Sequence, residues 1–401
     1  MDKPRVLIAI HYMEIGGAET SLLGLLQAID YTKIDVDLFV YRHTGELMPL
    51  IPHGPELMPE VRKYTTPELP ISRVIRMGYI DVALARLIAK WRYGRMRRRN
   101  PSRLADDVGG YQYMSSAVTP LLPDINPDVE YDLAVNFCGM QDVVLDKVKA
   151  RRRASWIHTD YSTLDTDREL DRRVWARFDY IVSISEKVTE TFAKVYPELA
   201  PKIVEIENIL SPDFVRSRSA EFDGKDEMPG DIVLLSIGRF SYPKNYDNLP
   251  DIARRLVQSV GDGLRWYIIG YGGDEALIRA KIAEAGMENH VVILGKRDNP
   301  YPYIKACDLY VQPSRYEGKS VTVREAQMLG KPVVVTDYPT AGSQVHHGED
   351  GIIVPMDNAG CAAGIADLLA DPELMRKLKE QVRKSDFGNM AEVEKFYRLI
   401  C

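Results

Sequence analysis

The stretch "PSRYEGKSVTVREAQMLGKP", residues 313–332, sets Glu317 and Glu325 eight positions apart, where the pattern predicts a loop running into a helix. A helix beginning soon after Gly318 and ended by Gly330 leaves about 12 Å between the two carboxylates, at a rise of 1.5 Å per residue. That is wider than the roughly 5 to 9.5 Å of a glycosidase carboxylate pair. It suits two grips on hydroxyl-bearing ends of one ligand, with a helix N-terminus between them for a phosphate. A capping glutamate and a surface glutamate would show the same spacing. In "SIGRFSYPKNYDNLPDIARRL", Gly238 ends a strand, and Arg239 and Lys244 follow five residues apart. A guanidinium fork and an ammonium so placed can neutralise one diphosphate without a metal; two solvated loop cations are the plainer alternative. In "HYMEIGGAETSLLGLLQAI", Gly16 and Gly17 precede a helix starting near Ala18. They allow close approach of a phosphate to free amides. They do not make the full dinucleotide fingerprint, and a tight turn into a helix reads as well.

These residues need elements to hold them. Short Val- and Ile-rich runs alternate with helix-length segments through both halves, which predicts parallel βα units. Strands are expected near 5–10, 36–41, 132–137, 154–158, 180–185 and 202–206, then 232–238, 265–270, 291–295, 308–312, 332–336 and 351–355. The polar stretch 208–231, broken by Pro and Gly, reads as a linker. The fold class is therefore α/β: two doubly wound, Rossmann-like lobes, residues 1–207 and 232–385, facing across a cleft. Residues 45–130 are less regular and read as a basic insertion in the first lobe that handles a second substrate. Residues 386–401 have helical spacing and are expected to pack back on a lobe.

At 401 residues, 45% apolar and with net charge −6, the chain is a multidomain globular protein with nothing global that asks for nucleic acid. Its four cysteines, Cys138, Cys307, Cys361 and Cys401, show no paired spacing, so reduced thiols in the cytoplasm fit best. The N-terminus runs into a strand rather than a signal peptide, and no apolar run is long enough to span a bilayer. From Arg86 to Arg103 there are eight basic residues and no acidic one, interleaved with Leu87, Ile88, Trp91, Tyr93 and Met96. Such a stretch suits an anionic membrane surface, and equally a solvated helix end or a patch receiving an acidic substrate.

Taken together, "GGAE", the "GR" followed by a lysine, "YEGKSVTVREA", "GKPVVVTD" and "GEDGIIVP" resemble the family 4 retaining glycosyltransferases, the glycosyl transferases group 1. The resemblance runs through nearly all of the second half; in the first it rests on "GGAE" and "WIH". It implies the GT-B architecture, with residues 1–207 the acceptor side and 232–385 the lobe that binds a nucleotide-sugar donor. Residue by residue, it implies that Glu317 binds donor-sugar hydroxyls and Glu325 the ribose. Amides around Gly318, Lys319, Ser320 and Val321 would hold the diphosphate. Arg239 and Lys244 would stabilise the departing phosphate, Gly16 and Gly17 would form the glycine loop, and His158 would reach the donor sugar. Without the resemblance, His158 reads as a structural histidine at a strand end. Residues 294–304 would contact the base, Gly295 to Arg297 nearest. Where many members carry Gly-Phe-Gly, this chain has Gly318, Lys319 and Ser320, which sets a cation beside the donor's phosphate or carboxylate. "IENIL" around Asn208 lacks the glycine often found after that asparagine.

The implied reaction transfers a sugar from a UDP- or GDP-sugar to an acceptor hydroxyl with retention, without a metal or a resident cofactor. Fixed cations and amides at the leaving diphosphate are its main tool, and closure of the lobes would exclude water. Of the D-x-D pairs, Asp35 with Asp37 falls in a strand and Asp165 with Asp167 in a polar segment, neither a persuasive metal site. The expected acceptor is a saccharide, or a lipid-linked saccharide in cell-surface polysaccharide assembly. The expected location is the cytoplasm, peripheral on the membrane's inner face if residues 86–103 bind it. The rivals are a nucleotide-sugar epimerase of the same architecture and a non-catalytic binder of nucleotide sugars or a partner; NAD-dependent redox chemistry lacks its fingerprint.

Overall fold

The structure, a computed structural model, describes residues 3–101 and 106–400. Ser102 and Arg103 of the basic stretch, and Cys401, lie outside the described residues. The chain divides into two compact units, Met1–Ile209 with Asn389–Cys401, and Leu210–Gly388.

The first unit contains strands β1 (Arg5–Ile10), β2 (Asp35–Val40), β3 (Glu56–Leu57), β4 (Asp106–Asp107), β5 (Tyr131–Cys138), β6 (Ala150–Ile157), β7 (Leu164–Asp165), β8 (Tyr180–Ser183) and β9 (Ile203–Glu205). Among the described residues its main sheet is parallel, in the order β3-β2-β1-β5-β6-β8-β9, and β4 pairs with β7 apart from it. Its helices are α1 (Gly17–Ala28), α2 (Ile71–Arg76), α3 (Ile80–Arg99), α4 (Gly109–Val118), α5 (Gln141–Asp146), α6 (Arg168–Trp175) and α7 (Glu186–Val195). The expected strands are all present, within a few residues at their ends, because runs such as "RVLIAI" are apolar on both faces and both faces are covered.

The region read as an irregular insertion is largely helical. In α3, Val82, Ala83 and Ala89 face inward. On the opposite side Ile80, Leu84, Leu87, Ile88 and Trp91 are exposed, Trp91 by 63%. Their spacing of 4, 3, 1 and 3 residues makes one stripe along the helix. Arg95 lies over the Trp91 ring, and Lys90, Arg92, Arg98 and Arg99 are exposed around the stripe's end. Arg97 instead turns inward, with Nη2 2.6 Å from Asp107 Oδ1 and Nη1 3.0 Å from Asp165 Oδ1.

The second unit begins with α8 (Pro212–Arg218). Residues 208–231, expected as a linker, therefore hold a helix, capped where the Ser211 hydroxyl accepts from the Phe214 amide. Leu210, Val215 and Met228 enter the second unit's core. Strands β10 (Ile232–Ile237), β11 (Leu264–Ile269), β12 (Val291–Gly295), β13 (Leu309–Gln312), β14 (Val333–Thr336) and β15 (Ile352–Val354) form a parallel sheet in the order β12-β11-β10-β13-β14-β15. Helices α9 (Leu249–Val260), α10 (Glu275–Ala285), α11 (Tyr301–Ala306), α12 (Val321–Met328), α13 (Asn358–Ala370) and α14 (Pro372–Lys384) complete it. Alternation decides which face each residue serves. Leu234 and Trp266 pack with α9 and α13, whereas Val233, Leu235 and Tyr267 pack with α8, α11 and α12.

The last helix, α15 (Val393–Tyr397), belongs to the first unit. Phe396 is buried against Trp156, and the Tyr397 hydroxyl accepts from the Asp30 amide at 2.7 Å.

Candidate functional site

In a doubly wound sheet, ligands gather beyond the strands' carboxyl ends where the strand order reverses. In the second unit that point lies between β10 and β13. The loop after β10 carries Gly238, Arg239 and Lys244; the loop after β13 carries Ser314 and Glu317 and leads into α12. The two loops meet. Lys244 Nζ donates to Glu317 Oε1 at 2.6 Å, and the same oxygen receives Ser314 Oγ at 2.6 Å and Gln312 Nε2 at 3.2 Å. Glu317 is 9% exposed, so the pair is largely removed from water and depends on these donors for its charge.

Gly238 is where a side chain would interfere. A Cβ there would stand 2.9 Å from the Tyr246 hydroxyl and 3.1 Å from Lys244 Cε. The loops are also braced by Arg315, whose Nη1 and Nη2 donate to the two carboxylate oxygens of Asp247 at 2.8 and 2.7 Å. Its guanidinium lies 4.3 Å from the Tyr242 ring centroid. Arg239 is exposed and has no ion pair among the described residues.

Helix α12 starts at Val321, with Ser320 as its N-cap and no side-chain capping hydrogen bond from it. The amides of that first turn have no intrahelical partner, which suits an anion. The Ser320 amide is a departure from expectation: it donates to Gln344 Oε1 at 2.9 Å, while Gln344 Nε2 donates back to the Ser320 carbonyl at 2.5 Å. Ser320 thus anchors the helix start, and Val321 with the residues after it supplies the free amides. Gly318 has open space where a Cβ would be, and Lys319 is half-buried. Glu325 lies on the buried face of α12, accepting from the Tyr301 hydroxyl at 2.8 Å. Burial pushes its pKa up to about 7 against the single opposing hydrogen bond from Tyr301.

Gly295 ends β12 with φ +76°. Arg297 is not directed outward: its Nη2 lies 2.5 Å from Glu227 Oε2 and its guanidinium is 5.8 Å from the Tyr303 centroid. The acidic partner comes from the segment read as a linker, 70 residues away, where no local pattern reports it.

In the first unit the order reverses between β1 and β5, and His11, Cys138 and His158 stand at the ends of β1, β5 and β6. His158 Nε2 is 2.8 Å from the Phe137 carbonyl oxygen. Burial pulls the imidazole's pKa down to about 4, against the opposing pull of the Phe137 carbonyl, so the ring is neutral at pH 7. With Nε2–H donated to the carbonyl, Nδ1 is the accepting nitrogen. Gly16 is the N-cap of α1 in an extended conformation. A Cβ on it would fall 2.3 Å from Glu19 Oε2, so the space left by the glycine is used by a carboxylate that folds back over the helix start. Gly17 is open. Glu19 Oε1 also lies 3.6 Å from His11 Nε2. Burial opposes the His11 charge, but Cys138 and Glu19 outweigh it and hold the pKa up to about 10.

Asp37 accepts from Arg5 and from the Tyr131 hydroxyl, Asp165 pairs with Arg97, and Asp167 caps α6 at the Leu170 amide. Gln312, Ser314, Gln344, Tyr301, His11 and Glu19 were not singled out from sequence. Gln312 left one trace, a polar residue closing the apolar run "DLYV".

Residues 217–385 match the model of the family described as glycosyl transferases group 1. Through this segment the chain is similar to the group 1 glycosyl transferases. The Lys244–Glu317 pair, Arg239 and α12 all lie within it. The "N-acetylgalactosamine-N,N'-diacetylbacillosaminyl-diphospho-undecaprenol 4-alpha-N-acetylgalactosaminyltransferase" of Campylobacter jejuni is 30% identical over 156 residues, 38% of this chain and 41% of that protein. The lipopolysaccharide core biosynthesis glycosyltransferase LpsE of Rhizobium meliloti is 27% identical over 169 residues, 42% of this chain and 48% of that one. The chain thus spans less than half the length of these curated relatives. Among solved structures, HepE of Anabaena in complex with UDP and glucose superposes with a TM-score of 0.66 over 98% of each chain, at 16% identity. At that identity the likeness shows the fold, and the fold is GT-B. The segment that matches this family lies in the second of the two units.

Proposed function

We propose that the chain is a retaining glycosyltransferase that moves a sugar from a nucleotide-diphosphate sugar to an acceptor hydroxyl, without a metal. The observation that carries this reading is the convergence at the β10/β13 switch point. A lysine, an exposed arginine, a buried carboxylate and an uncapped helix start share one sheet end there. In this reading the leaving diphosphate meets the α12 amides, Arg239 and Lys244, so charge that develops as the glycosidic bond breaks is met by groups already in place. Glu317 takes donor-sugar hydroxyls, Glu325 the ribose, and Gly295 the neighbourhood of the base; Lys319 bears on donor choice. His158 contributes a neutral acceptor at Nδ1, and Gly17 a close backbone approach.

The first unit is assigned to the acceptor. Two features favour a saccharide carried on lipid at the inner face of the cytoplasmic membrane. One is the relative whose name includes a saccharide joined to diphospho-undecaprenol. The other is the exposed apolar stripe of α3 with its arginines, suited to anionic headgroups. No helix among the described residues is long and apolar enough to cross a membrane.

The test is nucleotide release from a panel of UDP-, GDP- and ADP-sugars, with and without lipid-linked saccharide acceptors. Release of one nucleotide that requires an acceptor, with an α-linked product from an α-linked donor, is expected. Consumption of donor without acceptor and without glycoside would favour the epimerase; tight binding with no turnover would favour a non-catalytic protein.

A further inference from the structure

Beyond the carboxyl ends of β5 and β6, the first unit holds a cavity of about 130 Å³. Its walls come from α4, from the residues after β5, from the segment after β6 and from α6. The walls are firmly held. Asp171 accepts from Gln112 Nε2 at 2.7 Å, from the Tyr196 hydroxyl at 2.7 Å and from the Tyr161 hydroxyl at 3.1 Å, so its acceptor capacity is used within the protein. The Arg97 bridge between Asp107 and Asp165, beside the β4–β7 pair, ties the α3–α4 region to the segment after β6.

Other polar groups on the wall are not used up. Asp142, 7% exposed, has one hydrogen bond among the described residues, from Ser115 Oγ at 2.6 Å. Gln141 Nε2 donates to Ser155 Oγ at 3.2 Å, and its carbonyl accepts no hydrogen bond among the described residues. Thr166 Oγ1 is buried near the Tyr196 hydroxyl and makes no hydrogen bond of normal geometry among the described residues, a condition that native interiors rarely leave unexplained. Burial holds the Asp142 carboxyl above its usual range, against the opposing pull of Ser115. Spare acceptors next to two carboxylates repel an anion and call for a neutral donor of several hydroxyls. The volume, that of about four water molecules, admits a small polyol or the edge of one sugar ring.

We propose that this cavity receives an uncharged, hydroxyl-bearing part of the acceptor, held by Asp142, Gln141 and Thr166. This assignment rests on the transferase reading for its biological meaning, while the binding itself is independent of the nucleotide.

The experiment is saturation-transfer NMR on the full chain, with glycerol, methyl α-glucoside, galactose and N-acetylglucosamine as probes at about 10 mM and UDP as a separate arm. At least one hydroxylated probe is expected to show transfer. Its signal should fall about fivefold or more in Asp142→Asn and in Leu170→Trp, which fills the cavity, with the UDP signal unchanged. No transfer to any probe, or equal transfer in wild type and folded variants, overturns the proposal while leaving the nucleotide reading intact. Loss of UDP binding in the wild type would overturn the nucleotide reading alone. If circular dichroism shows Asp142→Asn unfolded, Leu170→Trp and Gln141→Ala decide.

Discussion

Lys244 Nζ stands 2.6 Å from Glu317 Oε1, across the two loops that leave β10 and β13. Each charge is a close partner of the other, so a sugar or phosphate that enters must share them. Glu317→Gln keeps the shape and removes the charge; Lys244→Met keeps the stem and removes the donor. Each is expected to reduce nucleotide release by about 10²–10³. The double variant should fall well short of the product of the two losses, because each single change already breaks the pair. Initial rates on the donor found in the nucleotide panel measure this. Wild-type rates in Glu317→Gln would remove that glutamate from the site.

Arg315 is a positioning residue in this scheme. Its fork on Asp247 and its stacking on Tyr242 fix the Lys244 loop against the Glu317 loop. A lysine at 315 retains charge but not two parallel bonds or a flat face. Arg315→Lys is therefore expected to lower kcat about tenfold with a smaller change in KM. Arg315→Ala should lose more, and a purely structural role would instead lower the melting temperature with kcat per folded enzyme unchanged.

Glu325 predicts a pH signature. Its folded pKa, pushed up to about 7, lies above the ordinary glutamate value. Below the unfolded pKa both states are protonated and the residue favours folding fully. As pH rises toward 7 the unfolded chain ionises first, and that stability is lost. Glu325→Gln, which cannot ionise, is expected to be close to wild type near pH 4.5 and more stable by about 2–3 kcal/mol at pH 8. Urea unfolding at the two pH values checks this; a constant difference would show that Glu325 does not titrate in this range. Donor binding should weaken in the variant at pH 8, where ionised Glu325 is the better acceptor for ribose hydroxyls.

The strands were legible because buried parallel strands are apolar on both faces, so "IVLLSI" and "VVILG" declare themselves without tertiary information. Glu317 and Lys244 were legible through resemblance and loop position, yet their direct contact was not, since 73 residues separate them. Ser320 illustrates a different limit: Gln344, 24 residues on, takes its amide, and no local pattern reports that. Gly16 reads as a phosphate turn until the side chain of Glu19, three residues away, is seen to occupy the space. The basic stretch 86–103 was visible as charge, but its apolar stripe became distinct only once the helix showed which side is packed.

That stripe yields the last prediction. Ile80, Leu84, Leu87, Ile88 and Trp91 expose apolar surface on one side of α3, and Arg95, Arg98 and Arg99 follow it toward the helix end. An exposed apolar patch bordered by cations is poorly solvated in water and well matched to an anionic bilayer, with Trp91 at headgroup depth. Wild type is expected to sediment with vesicles containing phosphatidylglycerol and to be released as salt rises, since each arginine near the surface contributes about 1 kcal/mol. Leu87→Ser with Trp91→Ser should weaken binding at all salt concentrations. Arg95→Glu with Arg98→Glu should abolish the preference for anionic over neutral lipid. Because these side chains are exposed, the variants should retain the wild-type melting temperature and turnover on a water-soluble acceptor. Equal sedimentation of wild type and both variants would assign the stripe to something other than lipid, and concentration-dependent self-association lost in Leu87→Ser, Trp91→Ser would identify a second copy of the chain as its occupant.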